Sequence, residues 1–223
     1  MQKQMLICGL LIALWAPARV MAQIGITGTL GSTGVGAHVS LPIQPNLHAR
    51  LGINYINYSY NSSTRNVDYD LRLKLRTVDA LLEFFPSGNA LRLSAGLIYN
   101  GNKIDAVGVP STKGTYTLNG TTYSAANAGT VVGRIDFRKA APYLGIGWGK
   151  AAQSLGWGFS ADLGVMFQGA AETTLRSTGC NAPALLCARL ATDIAAENRS
   201  LSDKVDDYKA FPVLRVGLSY RFN

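Results

Sequence analysis

Past its first 22 residues the chain has no apolar stretch long enough to cross a bilayer as a helix, which takes about 20 residues. A membrane protein without such a helix must be a closed barrel, because every backbone polar group needs a partner in lipid. Histidine is nearly missing: His38 and His48 are the two in 223 residues. Cysteine is limited to Cys8, Cys180 and Cys187, with too few other ligands nearby for a metal site. Phosphate loops are lacking too. Gly145-Ile146-Gly147-Trp148-Gly149 sits inside a strand pattern, where glycine relieves crowding. These gaps leave little for catalysis, so neither an enzyme nor a cofactor is expected. Charge is thin, at 15% of residues, and biased, with 21 Lys and Arg against 13 Asp and Glu for a net +8. A nucleic-acid binder would cluster its basic residues with stacking aromatics. Here they alternate singly with apolar residues, so no nucleic-acid partner is expected.

What is present begins with an export leader. Lys3 precedes an apolar run from Met5 to Trp15, then Ala16-Pro17-Ala18-Arg19, then Val20 and Ala22 at −3 and −1 of a small-residue cleavage site. The apolar run is too short to be a membrane anchor. The expected division is a signal peptide over 1–22 and a single domain over 23–223, which without Lys3 and Arg19 carries +6. Cys8 leaves with the leader and lies inside the apolar run, which argues against a lipid anchor. Cys180 and Cys187 then remain as an even pair in an oxidising compartment and are expected to form a disulfide.

The dominant pattern is period-two alternation in segments of about ten residues. Leu155, Trp157, Phe159, Ala161, Leu163, Val165 and Phe167 alternate with Gly156, Gly158, Ser160, Asp162, Gly164 and Gln168. Leu214, Val216, Leu218, Tyr220 and Phe222 alternate with Arg215, Gly217, Ser219 and Arg221. A soluble sandwich also alternates. A transmembrane barrel adds aromatics at the strand ends, short turns at one end and long loops at the other. Short connections fall at 43–46, 86–89 and 150–154, and long ones at 61–68, 106–133 and 169–209. Strands are expected near 35–42, 46–60, 68–85, 90–105, 133–149, 155–168 and 210–222. The eighth is Gln23 to Leu30, whose apolar phase is opposite to that of Val35 to Leu41 across Gly31-Ser32-Thr33-Gly34. The phase also slips between Leu75 and Val78 and between Phe137 and Leu144, which reads as bulges or bends. Leu185, Leu186, Leu190, Ile194 and Leu201 predict a short helix in the last long loop, and Asn119-Gly120 a hairpin tip in the middle one. The fold expected is an all-β, eight-stranded antiparallel up-and-down transmembrane barrel with long extracellular loops.

The C-terminus Arg215-x-Gly217-x-x-Tyr220-x-Phe222 resembles the signal read by the outer-membrane assembly machinery, with Asn223 added after the aromatic that usually ends it. Gly28-Thr29-Leu30-Gly31-Ser32-Thr33-Gly34, Asn119-Gly120-Thr121-Thr122-Tyr123, Ala141-Pro142-Tyr143-Leu144-Gly145-Ile146-Gly147 and Pro212-Val213-Leu214-Arg215-Val216-Gly217 resemble the carbapenem-associated outer membrane proteins, also described as ornithine-uptake porins. The resemblance implies a monomeric barrel in the outer membrane of a Gram-negative bacterium. It implies outer-membrane lipid, periplasmic chaperones and the assembly machinery as partners, and passage of small polar solutes such as amino acids.

Parity places Arg50, Arg72, Lys74, Arg76, Arg92, Arg134, Arg138, Arg215 and Arg221 on the lumen face, with Asp79, Glu83, Asp136 and Asp162. Nine cations against four anions predict a basic interior, better suited to anions than to ornithine. Eight strands enclose a lumen that side chains can just fill, and buried charges must pair. Two readings stand: a narrow porin-like passage, and a barrel plugged by Arg–carboxylate pairs whose loops bind partners. His38 and His48 have inward parity and are expected to be satisfied interior side chains, which leaves a lipid-modifying barrel enzyme as a remote third reading.

Overall fold

The computed structural model describes residues 24–63, 68–110, 114–150 and 155–222. The predicted leader, Gln23, most of the 150–154 turn and Asn223 lie outside the described residues. Eight strands close a ring: β1 (Gly25–Gly31), β2 (Gly34–Gln44), β3 (Leu47–Ser63), β4 (Asp68–Phe84), β5 (Leu91–Asn100), β10 (Ala140–Trp148), β11 (Gly156–Phe167) and β13 (Ala210–Arg221). Each pairs antiparallel with the next, and β13 pairs back onto β1 from Gly25↔Arg221 to Gly31↔Arg215. The eighth strand is therefore β1, joined to β2 through Ser32-Thr33. Ser32 ties this turn to the closing strand, donating from Oγ to the Pro212 carbonyl at 2.9 Å and accepting from Leu214 N at 3.0 Å.

The ring is apolar outside and polar inside. Along β5 the odd residues Leu91, Leu93, Leu97 and Tyr99 are exposed, while Arg92, Ser94, Ile98 and Asn100 are buried. Exposed aromatics collect at both margins: Phe84, Trp148, Trp157, Phe159, Tyr220 and Phe222 near the short turns, and Tyr55, Tyr99 and Phe167 toward the other end. An apolar band between two aromatic girdles is the surface that a bilayer requires.

Beyond the upper girdle the strands continue into a second sheet. β6 (Lys103–Val109), β9 (Thr130–Asp136) and β12 (Glu172–Thr178) add to the upper halves of β3 and β4 in the order β3–β4–β6–β9–β12. Strand β4 pairs with β5 from Thr77 to Phe84 and with β6 from Asp68 to Lys74. The segments expected as loops at 106–133 and 169–209 thus carry strands, and the strands expected at 90–105 and 133–149 each break in two. The second phase slip is the gap between β9 and β10.

The first slip has another cause. The β3–β4 register runs unbroken from Leu47↔Phe84 to Ser63↔Asp68, so no bulge sits at Leu75–Val78. What changes is the surroundings. Below Arg76 the outer face is apolar and the inner face polar. Above it the outer face carries Arg72 and Lys74, and the inner face carries Leu75, Leu73 and Leu71. A strand leaving lipid for water must invert its polarity without inverting its parity.

The inner face of this upper sheet is covered by a hairpin and a helix. β7 (Thr115–Leu118) and β8 (Thr121–Ser124) turn at Asn119 and Gly120, whose φ of 48° and 76° are the left-handed pair that such a turn needs. A short helix, α1 (Ala125–Ala128), follows. The predicted loop helix is α2 (Ala184–Val205), 22 residues long, with Leu190 and Ile194 buried on one face and Lys204 in its last turn. Tyr116, Leu118, Tyr123, Val131, Leu190 and Ile194 form one core. Cys180 and Cys187 are joined, with Cα atoms 6.1 Å apart, and fasten the start of α2 to the end of β12.

Candidate functional site

The lumen holds a compact ionic layer. Arg50 on β3, Asp79 and Glu83 on β4, Arg92 on β5, Asp162 on β11 and Arg215 on β13 point inward, and none is more than 3% exposed. Arg50 reaches Glu83 Oε1 at 3.1 Å and Asp162 Oδ2 at 2.9 Å. Arg92 reaches the same pair, at 3.0 Å and 2.7 Å, and donates to the Gly149 carbonyl at 2.6 Å. Two guanidiniums and two carboxylates thus form a closed square. One step along the barrel, Asp79 Oδ2 takes Arg215 Nη1 at 2.7 Å, His38 Nε2 at 3.2 Å and Asn54 Nδ2 at 3.1 Å.

Three arginines face three carboxylates in this layer, so its formal charge cancels. The expectation of a basic lumen is corrected. Arg72, Lys74, Arg76, Arg134, Asp136 and Arg138 belong to the upper sheet and the β9–β10 link, not to the lumen. There the outward face meets water, and parity alone could not locate the lipid margin. Lys74 and Arg134 flank Asp105 at 2.9 Å and 2.8 Å on that outer face. Asp136 lies 3.8 Å from Lys139. Arg221 keeps inward parity at the turn end and is half-buried.

Sequence reasoning passed over the uncharged members. Thr29 sits 3.3 Å from His38 Nδ1, and Thr33 accepts from Arg215 Nε at 3.0 Å. Asn54 bridges Thr77 and Asp79. The signal was available for Thr29 and Asn54, which have inward parity in apolar-alternating strands, but not for Thr33 in the β1–β2 turn or for Thr77 within the apparent slip. His48 lies at the turn end, its ring 4.7 Å from that of Phe85. Two glycines make room for the layer. A Cβ at Gly52 would stand 1.9 Å from His38 Cδ2, and one at Gly147 would stand 2.6 Å from Asp162 Oδ1 and 2.7 Å from Arg92 Nε.

Within the lumen, next to the ionic layer, Leu81, Ile98, Ala141, Tyr143, Met166 and Val213 pack as a second, mainly apolar cluster. The outer cover has its own polar anchor. Asp193 on α2 accepts from the Tyr123 hydroxyl and from Asn119 Nδ2. These bonds, Tyr123 first, hold its carboxyl below the ordinary 3.8. A depressed carboxylate stabilises the fold above its unfolded pKa, and the contribution is lost as pH falls through the lower folded value. Acidification from about pH 5 to about pH 2 should therefore loosen the hairpin from α2 while the barrel stays closed. Hydrogen exchange, corrected for its intrinsic pH dependence, should rise at 115–124 and 190–194 first. Uniform exchange across hairpin and barrel would contradict this.

A closed antiparallel ring of eight strands, apolar outside, polar inside and elaborated at one end, is the fold of a transmembrane β-barrel of the outer-membrane type. Among solved structures, the chain is similar to two crystal structures from Acinetobacter baumannii. CarO2 matches with a TM-score of 0.57 and 23% identity over 89% of this chain and 98% of that one. CarO matches with a TM-score of 0.55 and 24% identity over 89% and 97%. The likeness is one of fold, and it is shared with the family that the sequence motifs resemble. No family model matches the chain, and no curated protein sequence matches it.

Proposed function

We propose that the chain works in a Gram-negative outer membrane as a barrel held shut at rest by its own ion pairs. The observation that carries this is the neutral set of six charged groups, each almost fully buried in the lumen. A wide aqueous channel would leave such groups in water. In this reading the elaborated end faces outward, and its covered sheet is where contact with other molecules takes place.

A second reading is favoured by the chemistry of the plug. It is made of ion pairs, whose Coulomb attraction is offset by the desolvation of both partners, so an opening that lets water or a polar solute solvate both charges together recovers most of what it loses. A small zwitterion such as an amino acid brings one charge of each sign and can stand between Arg92 and Asp162 as water cannot. Slow passage of small polar solutes through brief openings follows, with no preference for anions. Single-channel recording in planar bilayers, with liposome swelling in charged amino acids and in sugars, tests both readings. The closed barrel predicts no steady conductance and no swelling with sugars. Swelling with zwitterions alone would favour the second reading. A steady open level in the untreated protein would overturn the closed one.

A further inference from the structure

Directly above the lipid band, on the outward face, stands a cluster of cations. Arg76 on β4 and Arg138 in the β9–β10 link are exposed, Lys103 at the start of β6 is half-exposed, and Arg72 lies two outward positions higher on β4, past Lys74. None of the four makes an ion pair with a described residue. Of the acids on this face, Asp105 is held by Lys74 and Arg134 and Asp136 by Lys139, while Glu172 stands across from Asp136 and Asp70 beside Arg72. Cations still outnumber acids: Arg72, Lys74, Arg76, Lys103, Arg134, Arg138 and Lys139 against Asp70, Asp105, Asp136 and Glu172. Burial pushes Asp105 up, but its two cationic partners outweigh this and hold its carboxyl low, so it stays charged and paired.

Below the cluster, on the same side of the barrel, the lipid-facing surface is grooved. Leu82, Leu93, Ala95, Leu144, Ile146 and Leu163 surround a shallow apolar depression across β4, β5, β10 and β11. Arg138 precedes Leu144 by six residues, no more than about 20 Å of extended chain. Cation cluster and groove therefore lie within one lipid's length, with the girdle residues Tyr99 and Phe167 at the level between them.

We propose that this side of the barrel binds a phosphorylated, acylated lipid of the outward leaflet. Its phosphates meet Arg76, Lys103 and Arg138, and one acyl chain lies in the groove. The inference rests on the outer-membrane reading. Phosphate suits the site because guanidinium and ammonium groups recognise it through charge-assisted bonds. The edge of the membrane suits it because basic residues there gain from anionic headgroups.

The test uses the full mature barrel refolded in neutral detergent. The probe is hexa-acylated lipid A with two phosphates, set against the same lipid dephosphorylated, with retention read by native mass spectrometry. The phosphorylated form should bind more tightly, and added salt should erode the difference. Arg76→Gln, Lys103→Gln and Arg138→Gln together should weaken it on the order of a hundredfold, from about fivefold per cation. These side chains face outward, and heat-modifiability checks that the triple variant folds. Ala95→Trp should fill the groove and weaken the acylated lipid, but not its deacylated bisphosphate core. Equal retention of the two lipid forms by the wild type overturns the proposal, and so does wild-type retention by the triple variant. Insertion into phosphatidylcholine vesicles separates the premises. A barrel that inserts there yet ignores phosphate overturns this inference alone, whereas a chain that enters no bilayer overturns the membrane reading and this one with it.

Discussion

Arg92→Ala will lower the unfolding temperature and let cations leak, whereas Leu93→Ala will lower it without leakage. The two residues are adjacent on β5, one buried in the ionic square and the other facing lipid. Removing Arg92 leaves Glu83 and Asp162 to share Arg50 alone and strips the donor from the Gly149 carbonyl. An uncompensated charge in such a place costs about 3–5 kcal/mol. The ionic layer becomes net negative, so the leak should favour cations. Arg92→Lys will recover only part of the loss, because one ammonium cannot reach both carboxylates and the carbonyl as the planar fork does. Adding Glu83→Gln to Arg92→Ala restores neutrality and should recover more. If Arg92→Ala and Leu93→Ala give the same bilayer current, the plug is not what closes the barrel.

Tyr220→Ala with Phe222→Ala will cut the amount of folded protein in the outer membrane several-fold, with Phe222→Ala alone intermediate. Both rings lie on the lipid side of the closing strand. Tyr220 is 5.1 Å from Trp157 and 5.1 Å from Phe222, each edge-on. The three make an aromatic ladder where β13 meets β11, at the margin that should sit at the membrane interface. Edge-to-face pairs add about 0.5–1.5 kcal/mol each beyond their area. The same residues carry the C-terminal pattern that assembly machinery reads, so recognition and packing fail together. The share of heat-modifiable protein in membrane fractions measures the effect, and normal levels in the double variant would remove the assembly role.

The ring was legible because period-two alternation survives wherever one face meets lipid and the other a filled lumen. Strands β11 and β13 could be read almost residue by residue. The upper sheet could not. Its strands are short, and their apolar side faces a hairpin and a helix rather than lipid, so Val131 and Leu175 read as loop residues with occasional apolar character. The ionic layer was half legible. Parity found Arg50, Asp79, Glu83, Arg92, Asp162 and Arg215, but extended the same rule to Arg72, Arg76 and Arg138 beyond the margin where polarity inverts. No pattern in a single sequence marks that margin on β4. It becomes visible once the unbroken β3–β4 register shows that the chain kept its parity while its surroundings changed. The pairings themselves were out of reach, since Arg50 and Asp162 stand 112 residues apart.

That separation sets an order of events. The charges of the lumen come from β3, β4, β5, β11 and β13, and Arg215 finds Asp79 only once the last strand has arrived. Arg50, Glu83 and Arg92 can meet as soon as β3, β4 and β5 pair, but Asp79, Asp162 and Arg215 must keep their own water until β13 is in place. A nascent sheet of this chain is consequently a wet object with one greasy side, unable to dry its inner surface early. Drying has to coincide with the meeting of β13 and β1, the last and first strands of the ring. The barrel thus carries a timer in its own electrostatics: dehydration is forbidden while the ring is open and becomes favourable in the step that shuts it.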